Sequence, residues 1–271
     1  MPKNHTPVVA AIPNFNMANP LSSLLPQVLE QGYDAVYVLD DGSTDNSREI
    51  VESFDADVHF VPGQENAGPG ANRNRIISAL AGEAIIHFMD ADVQLVSHDN
   101  PPTIRTAFKQ PDLGALGGLI QLPSGEPWIF NYGPRYSLFS MAAGWSQAIV
   151  SELEEKHPRA SRAIDAVTRW RHPAFPDTAK RPTTQQVFWI GEANFCISSE
   201  VFRRLGGFDP NLRYHEAQDL AIKLHQQGLE VRFDPEIAVE HPYVDMGDLV
   251  RQAQQGKAGR QLIRKYGLPL K

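Results

Sequence analysis

A chain of 271 residues with 42% hydrophobic content can bury a substantial core as one large domain or two small ones. Its formal net charge of −7 argues against a general nucleic-acid binder, whose phosphate contacts need an excess of Lys and Arg. A local basic patch is still compatible with that balance.

From residue 7 to about 120, short β-branched runs alternate with helical patterns. The opening "MPKNHTPVVAAIPNFN" holds a five-residue apolar run, too short for a signal-peptide core. "PVVAAI", "AVYVL", "DVHFV", "AIIHFM" and "LGALGGLI" read as strands of an α/β layer. After "NP", Leu21, Leu24, Leu25, Val28 and Leu29 recur at helical spacing. "DGSTDNSREIVESF" offers Ser, Thr and Asp as N-cap candidates for a second helix, and a third should begin near "GPGANRNRIISAL". Alternating strands and helices imply a mostly parallel sheet, in which ligands gather at the carboxyl ends of the strands. "NFN", "DDGSTD", "ENAGPG" and "DADV" each follow a strand and should converge on one rim.

The residues between about 121 and 186 differ in character. All four tryptophans fall in or just after them (Trp128, Trp145, Trp170, Trp189), and Lys156 to Arg181 carries seven Lys/Arg against two Asp. Two helical stretches, near 137–155 and 159–171, mark an insertion that covers the sheet as an acceptor wall. The uncharged stretch Tyr136 to Ser151 is too short and too polar for the ~20 apolar residues of a membrane span. The chain from 187 onward returns to strand, helix, loop, helix, strand, followed by a basic helix over about 247–265. The single cysteine, Cys196 in "NFCIS", reads as a small core residue in a reducing, cytoplasmic compartment. The expected organisation is one continuous domain of three parts: 1–120, 121–186 and 187–271.

Two acids close a buried strand in "IIHFMDADVQLV". Asp90 and Asp92 can reach the same loop volume, and close carboxylates repel unless a proton or cation sits between them. Mg²⁺ or Mn²⁺ satisfies that need, since such ions bind one or two carboxylates together with substrate phosphates. The alternative is a solvated turn. Asp40 and Asp41 stand just past the second strand, where a carboxylate can accept from a base N–H or ribose hydroxyls, or simply belong to a helix cap. "GPGANR" lacks the last glycine of the dinucleotide fingerprint. It places Arg73 early on a helix, suited either to phosphate oxygens or to a salt bridge.

"VVAAIPNFN", "VLDDGSTDNSREI", "NAGPGANRNRIISALAGEAIIHFMDADV" and "SSEVFRRLGGFDPNLRYHEAQDLAIKLHQQGLEVRFDPEIAVEH" resemble, in order and spacing, the successive motifs of family-2 glycosyltransferases with the GT-A fold. The resemblance covers roughly 7–119 and 187–265. It implies a GT-A fold, Rossmann-like and mostly parallel, with a helical insertion. It also implies an inverting, metal-dependent transfer from a nucleoside-diphosphate sugar to an unidentified acceptor hydroxyl. On this resemblance Asp92 and His241 would hold the metal and Asp90 would lie near the ribose or the metal. Asp41 and the loop carrying Pro13, Asn14 and Phe15 would hold the base, with Arg73 near the nucleotide. Nucleic acid and a transmembrane segment are not expected; a peripheral membrane contact is compatible.

One departure concerns the acceptor side. The family string Glu-Asp-x-Asp-Leu carries the catalytic base as its first Asp, and here "HEAQDL" puts Ala217 there. Glu216, Asp219 or His215 could take the role; Glu216 is favoured, and Glu216 and Asp219 share a helix face at i, i+3. Two other readings stand beside transfer. A donor-binding protein could have lost catalysis with Ala217, and "FMDADVQL" also fits the D-x-D-x-V motif of haloacid-dehalogenase-like phosphatases.

Overall fold

The computed structural model describes residues 5–54, 58–135, 175–177, 180–242 and 249–267. The two expected helices near 137–155 and 159–171, with Trp145 and Trp170, lie outside the described residues.

The first half builds β1 (Val8–Asn14), α1 (Ala18–Glu30), β2 (Ala35–Asp40), α2 (Ser47–Glu52) and β3 (Val58–Val61). It continues through α3 (Pro69–Asn74), α4 (Ile76–Ala79), β4 (Ile85–Met89), β5 (Gln94–Leu95), α5 (Asn100–Ala107) and β6 (Leu113–Gln121). The second half adds β7 (Tyr132–Gly133), β8 (Gln185–Val187), β9 (Trp189–Ile190), β10 (Asn194–Ser198) and α6 (Ser199–Arg204). It ends in α7 (Glu216–Gln226), β11 (Glu230–Glu240) and α8 (Leu249–Tyr266). The single helix expected near 68–80 is thus two short ones, and the basic terminal helix forms close to its expected span.

One sheet runs in the order β3-β2-β1-β4-β10-β6-β11-β5, with β8 also paired to β11. β1, β2, β3 and β4 are parallel, so their carboxyl ends share one rim. β10 runs antiparallel to both β4 and β6, and β11 runs parallel to β6. Two reversals restore the original direction, so β11 ends on the same rim as β4. β5 then pairs antiparallel with the end of β11, Val239 opposite Leu95 and Glu240 opposite Gln94. That short ladder ties the loop after β4 to the end of β11.

Successive residues of β1 point to opposite faces, as the two-residue period requires. Val9 and Ala11 join the core with Ile86, Phe88 and Phe195, while Ala10 and Ile12 join Leu21, Leu24, Leu25 and Val28 of α1 on the other side. Pro13 has no N–H to give, and it falls where β1 is paired to β2 alone, past its ladder with β4. Under the rim, Phe88, Phe195, Phe202 and Phe208 form a ring-to-ring cluster with centroids 4.9 Å apart for Phe88 and Phe195 and 5.4 Å for Phe202 and Phe208. Cys196 is wholly buried in β10 and burial pushes its thiol up, consistent with a core residue.

Candidate active site

The loops after β1 and β2 are laced together. Asn14 donates to Asp40 Oδ1 at 2.9 Å and to Ser43 Oγ at 3.1 Å, and Thr44 N–H donates to Asn16 Oδ1 at 2.8 Å. Asp40 also accepts from the amides of Gly42 and Ser43, which fixes the turn at the strand end. Pro13 is half-buried, Asn14 is buried with no partner for Oδ1 among the described residues, and Phe15 stands 41% exposed. A rim with one free aromatic ring and one orphaned buried acceptor is chemically suited to a nucleobase.

Asp41 is turned inward. Its carboxylate accepts from the amides of Ala67 and Gly68 at 3.0 and 2.9 Å and faces Arg75 Nη1 at 3.0 Å. It therefore shapes the loop leading into α3. Gly68 allows this: its φ is +96°, and a Cβ there would strike Arg213.

The acids after β4 meet the histidine after β11. Asp90, Asp92 and His241 each offer a ligand atom, all within 4.8 Å of one another. The β5–β11 ladder explains the meeting, since Asp92 lies two residues before Gln94 and His241 one after Glu240. His241 Nε2 stands 3.5 Å from Asp92 Oδ1 and 3.9 Å from Asp90 Oδ2, while Nδ1 faces the Pro242 carbonyl at 2.7 Å. Burial opposes its charge, but the two carboxylates and that carbonyl prevail and raise it to about 9. The imidazolium thus occupies the electrostatic place of a cation. Burial, reinforced by Asp90, raises Asp92. Two carboxylate oxygens and one imidazole nitrogen suit Mn²⁺ or Mg²⁺, so the donor set fits the expected divalent ion.

Arg73 sits beneath this cluster. Its Nη2 donates to Asp90 Oδ1 at 2.6 Å, its side chain is 5% exposed, and it lies over Phe208 at 6.0 Å. Burial works against the Asp90 charge, yet Arg73 and His241 hold its carboxyl below the usual range. The salt-bridge alternative for Arg73 is realised, in the interior rather than on the surface.

Glu216 and Asp219 both lie in the first turn of α7, but they meet different partners. Asp219 is fully buried against the chain's end: Oδ1 accepts from Lys265 Nζ and Tyr266 Oη, each at 2.7 Å. Its Oδ2 stands 2.9 Å from Lys223 Nζ, close enough to pair but not aligned for a hydrogen bond. Glu216 is 1% exposed, with no partner for Oε1 among the described residues. Burial and then the neighbouring Glu192 charge push it up to about 8. His215 takes the left-handed conformation at φ +65°, and burial lowers its pKa.

Sequence reasoning missed Glu192. It lies between β9 and β10, half-buried, and its Oε1 accepts from Ala217 N–H at 2.6 Å. Burial raises its pKa while Arg73 and the Ala217 amide oppose the rise. The available signal was an acid in an otherwise apolar run, "VFWIGEANFCI".

The model of glycosyl transferase family 2 matches residues 10–170. The N-acetylglucosaminyl-diphospho-decaprenol L-rhamnosyltransferase of Mycobacterium tuberculosis is 25% identical over 218 residues, covering 76% of this chain and 66% of the relative. The pre-mycofactocin glycosyltransferase of the same species is 24% identical over 253 residues, covering 89% and 43%. The chain thus spans less than two thirds of these curated relatives' lengths. Among solved structures, the mannosyltransferase PcManGT from Pyrobaculum calidifontis, in complex with GDP-Man and Mn²⁺, superposes with a TM-score of 0.61 at 18% identity, covering 97% of this chain and 65% of that one. GalNAc-T7 with UDP, GalNAc and Mn²⁺ superposes at 0.64 with 15% identity, covering 99% and 52%. These likenesses carry the fold, which is GT-A.

Proposed function

The chain belongs to glycosyl transferase family 2, and we propose that it moves a sugar from a nucleoside diphosphate to an acceptor hydroxyl, inverting the anomeric centre. The observation that carries this is the convergence of Asp90, Asp92 and His241 at the carboxyl rim of the sheet. A phosphatase of the haloacid-dehalogenase kind is set aside by the family match, and Asp90, its nucleophile candidate, is bound to Arg73.

Asp92 and His241 would hold the divalent ion, with Asp90 Oδ2 turned toward the same point. When bound there, the ion supplies positive charge to the departing diphosphate. The rest falls to side chains. Phe15 offers a face to the base, and Asn14 Oδ1 an acceptor. Asp41 acts by holding the loop before α3 through the Ala67 and Gly68 amides. Arg73 keeps Asp90 ionised and aimed. Acceptor activation belongs to the pair of acids beside the start of α7, Glu216 on the helix and Glu192 from the turn between β9 and β10. Asp219 anchors α8 through Lys265 and Tyr266.

The buried Cys196 thiol fits a cytoplasmic setting. Among the described residues no helix is long and apolar enough to cross a membrane. A thermal-shift panel of UDP, GDP and dTDP, each with and without Mn²⁺, tests the proposal. Ligand at a hundred times its dissociation constant stabilises by about 2.7 kcal/mol. Stabilisation by at least one nucleotide only when Mn²⁺ is present is expected; no nucleotide effect with Mn²⁺ would refute it.

A further inference from the structure

Ala217 is the second residue of α7, where the resemblance expects a catalytic aspartate. Its side chain is a buried methyl group, yet a carboxylate is present at that spot. Glu192 reaches in from the turn between β9 and β10 and accepts from the Ala217 N–H at 2.6 Å. We propose that Glu192 is the base that activates the acceptor, delivered from that turn to the place on α7 that Ala217 leaves without one. The inference rests on the glycosyl-transfer function proposed above.

Three observations carry it. First, Glu192 is half-buried whereas Glu216 is 1% exposed, so Glu192 presents the more surface of the two acids. Second, one Glu192 oxygen is held by the first turn of α7, and among the described residues no other hydrogen bond holds the carboxylate. The free oxygen is available to a hydroxyl. Third, the turn is joined to the metal loop: Asp90 N–H donates to the carbonyl of Ala193, the next residue, at 3.3 Å. The turn that carries Glu192 is thereby fixed to the metal loop.

In the step itself, a Glu192 carboxylate oxygen takes the proton of the acceptor O–H as the acceptor oxygen bonds to the sugar C1. The bond from C1 to the diphosphate oxygen breaks, and its electron pair leaves on the nucleoside diphosphate. The carboxylate becomes neutral as the diphosphate gains one charge. With water as acceptor the same step hydrolyses the donor.

The test uses the full chain with Mn²⁺ and a panel of UDP-, GDP- and dTDP-sugars, measuring release of nucleoside diphosphate. With the donor the wild type turns over fastest, Glu192→Gln should lower kcat by ~10²–10⁴. Thermal shift with the matching nucleoside diphosphate and Mn²⁺ should stay as in the wild type. A Glu192→Gln rate within threefold of the wild type would overturn the assignment. If that variant does not fold, Glu192→Asp decides: its carboxylate is one methylene short, so kcat should fall while the donor KM holds, and an unchanged kcat overturns it. A wild type that binds nucleotide with Mn²⁺ but turns over no panel donor contradicts transfer itself, and the base with it.

Discussion

Arg73 donates to Asp90 across 2.6 Å from inside the protein, its own side chain 5% exposed and that of Asp90 29%. A buried guanidinium under a cluster of acids is both a brace and a counter-charge, for it acts on Glu192 and Glu216 as well as Asp90. Removing one member of a buried pair leaves the other uncompensated, a loss of roughly 3–5 kcal/mol. Arg73→Ala should therefore lose about 3 kcal/mol or more in urea unfolding. Arg73→Ala within 0.5 kcal/mol of the wild type would contradict the brace.

Metal binding should depend on pH through His241. Its pKa of about 9 belongs to the metal-free protein, so below that pH an incoming Mn²⁺ must displace a proton. Apparent Mn²⁺ affinity should rise by up to tenfold per pH unit between pH 6 and 8. Calorimetry in buffers of different ionisation enthalpy should find close to one proton released per ion at pH 7, and His241→Ala should lose that release.

Glu216 should make the fold less stable as pH rises. Its folded pKa of about 8 lies above the usual 4.5, so the folded chain keeps a proton that the unfolded chain gives up. Its contribution falls progressively between those two values. Glu216→Gln, which cannot ionise, should be more stable than the wild type at pH 8, on the order of 1–3 kcal/mol, with the gap shrinking by pH 5. Equal chemical-denaturation curves at pH 8 would place Glu216 in a less demanding environment.

Ala217→Asp adds a carboxylate beside Glu192 and Glu216. Like charges at that distance raise one another's pKa and displace one another, so turnover at pH 7 should fall although the family residue has been restored. A gain in rate would instead mark the wild type as a chain with lost catalysis.

The rim was legible in the sequence because strand direction follows from alternating β and α runs. Asp90, Asp92 and the Asn14–Phe15 loop stand where that logic put them. The placement of His241 needed the strand reversal at β10 and the β5–β11 ladder, which no local pattern encodes; only the resemblance pointed to it. Periodicity correctly placed Glu216 and Asp219 in one helical turn, yet spacing says nothing about what packs against each side. Lys265 and Tyr266, nearly fifty residues away in sequence, claim Asp219. Glu192 escaped notice because its role depends on a contact with Ala217, 25 residues on.

The most direct measurement is Mn²⁺ binding followed by electron paramagnetic resonance, with the nucleoside diphosphate that stabilises the wild type most. The wild type should bind one ion whose affinity rises when nucleotide is added. Asp92→Ala should lose that site while keeping the wild-type circular dichroism spectrum. An Asp92→Ala variant that binds Mn²⁺ and nucleotide as the wild type does would contradict a metal centre built from Asp90, Asp92 and His241.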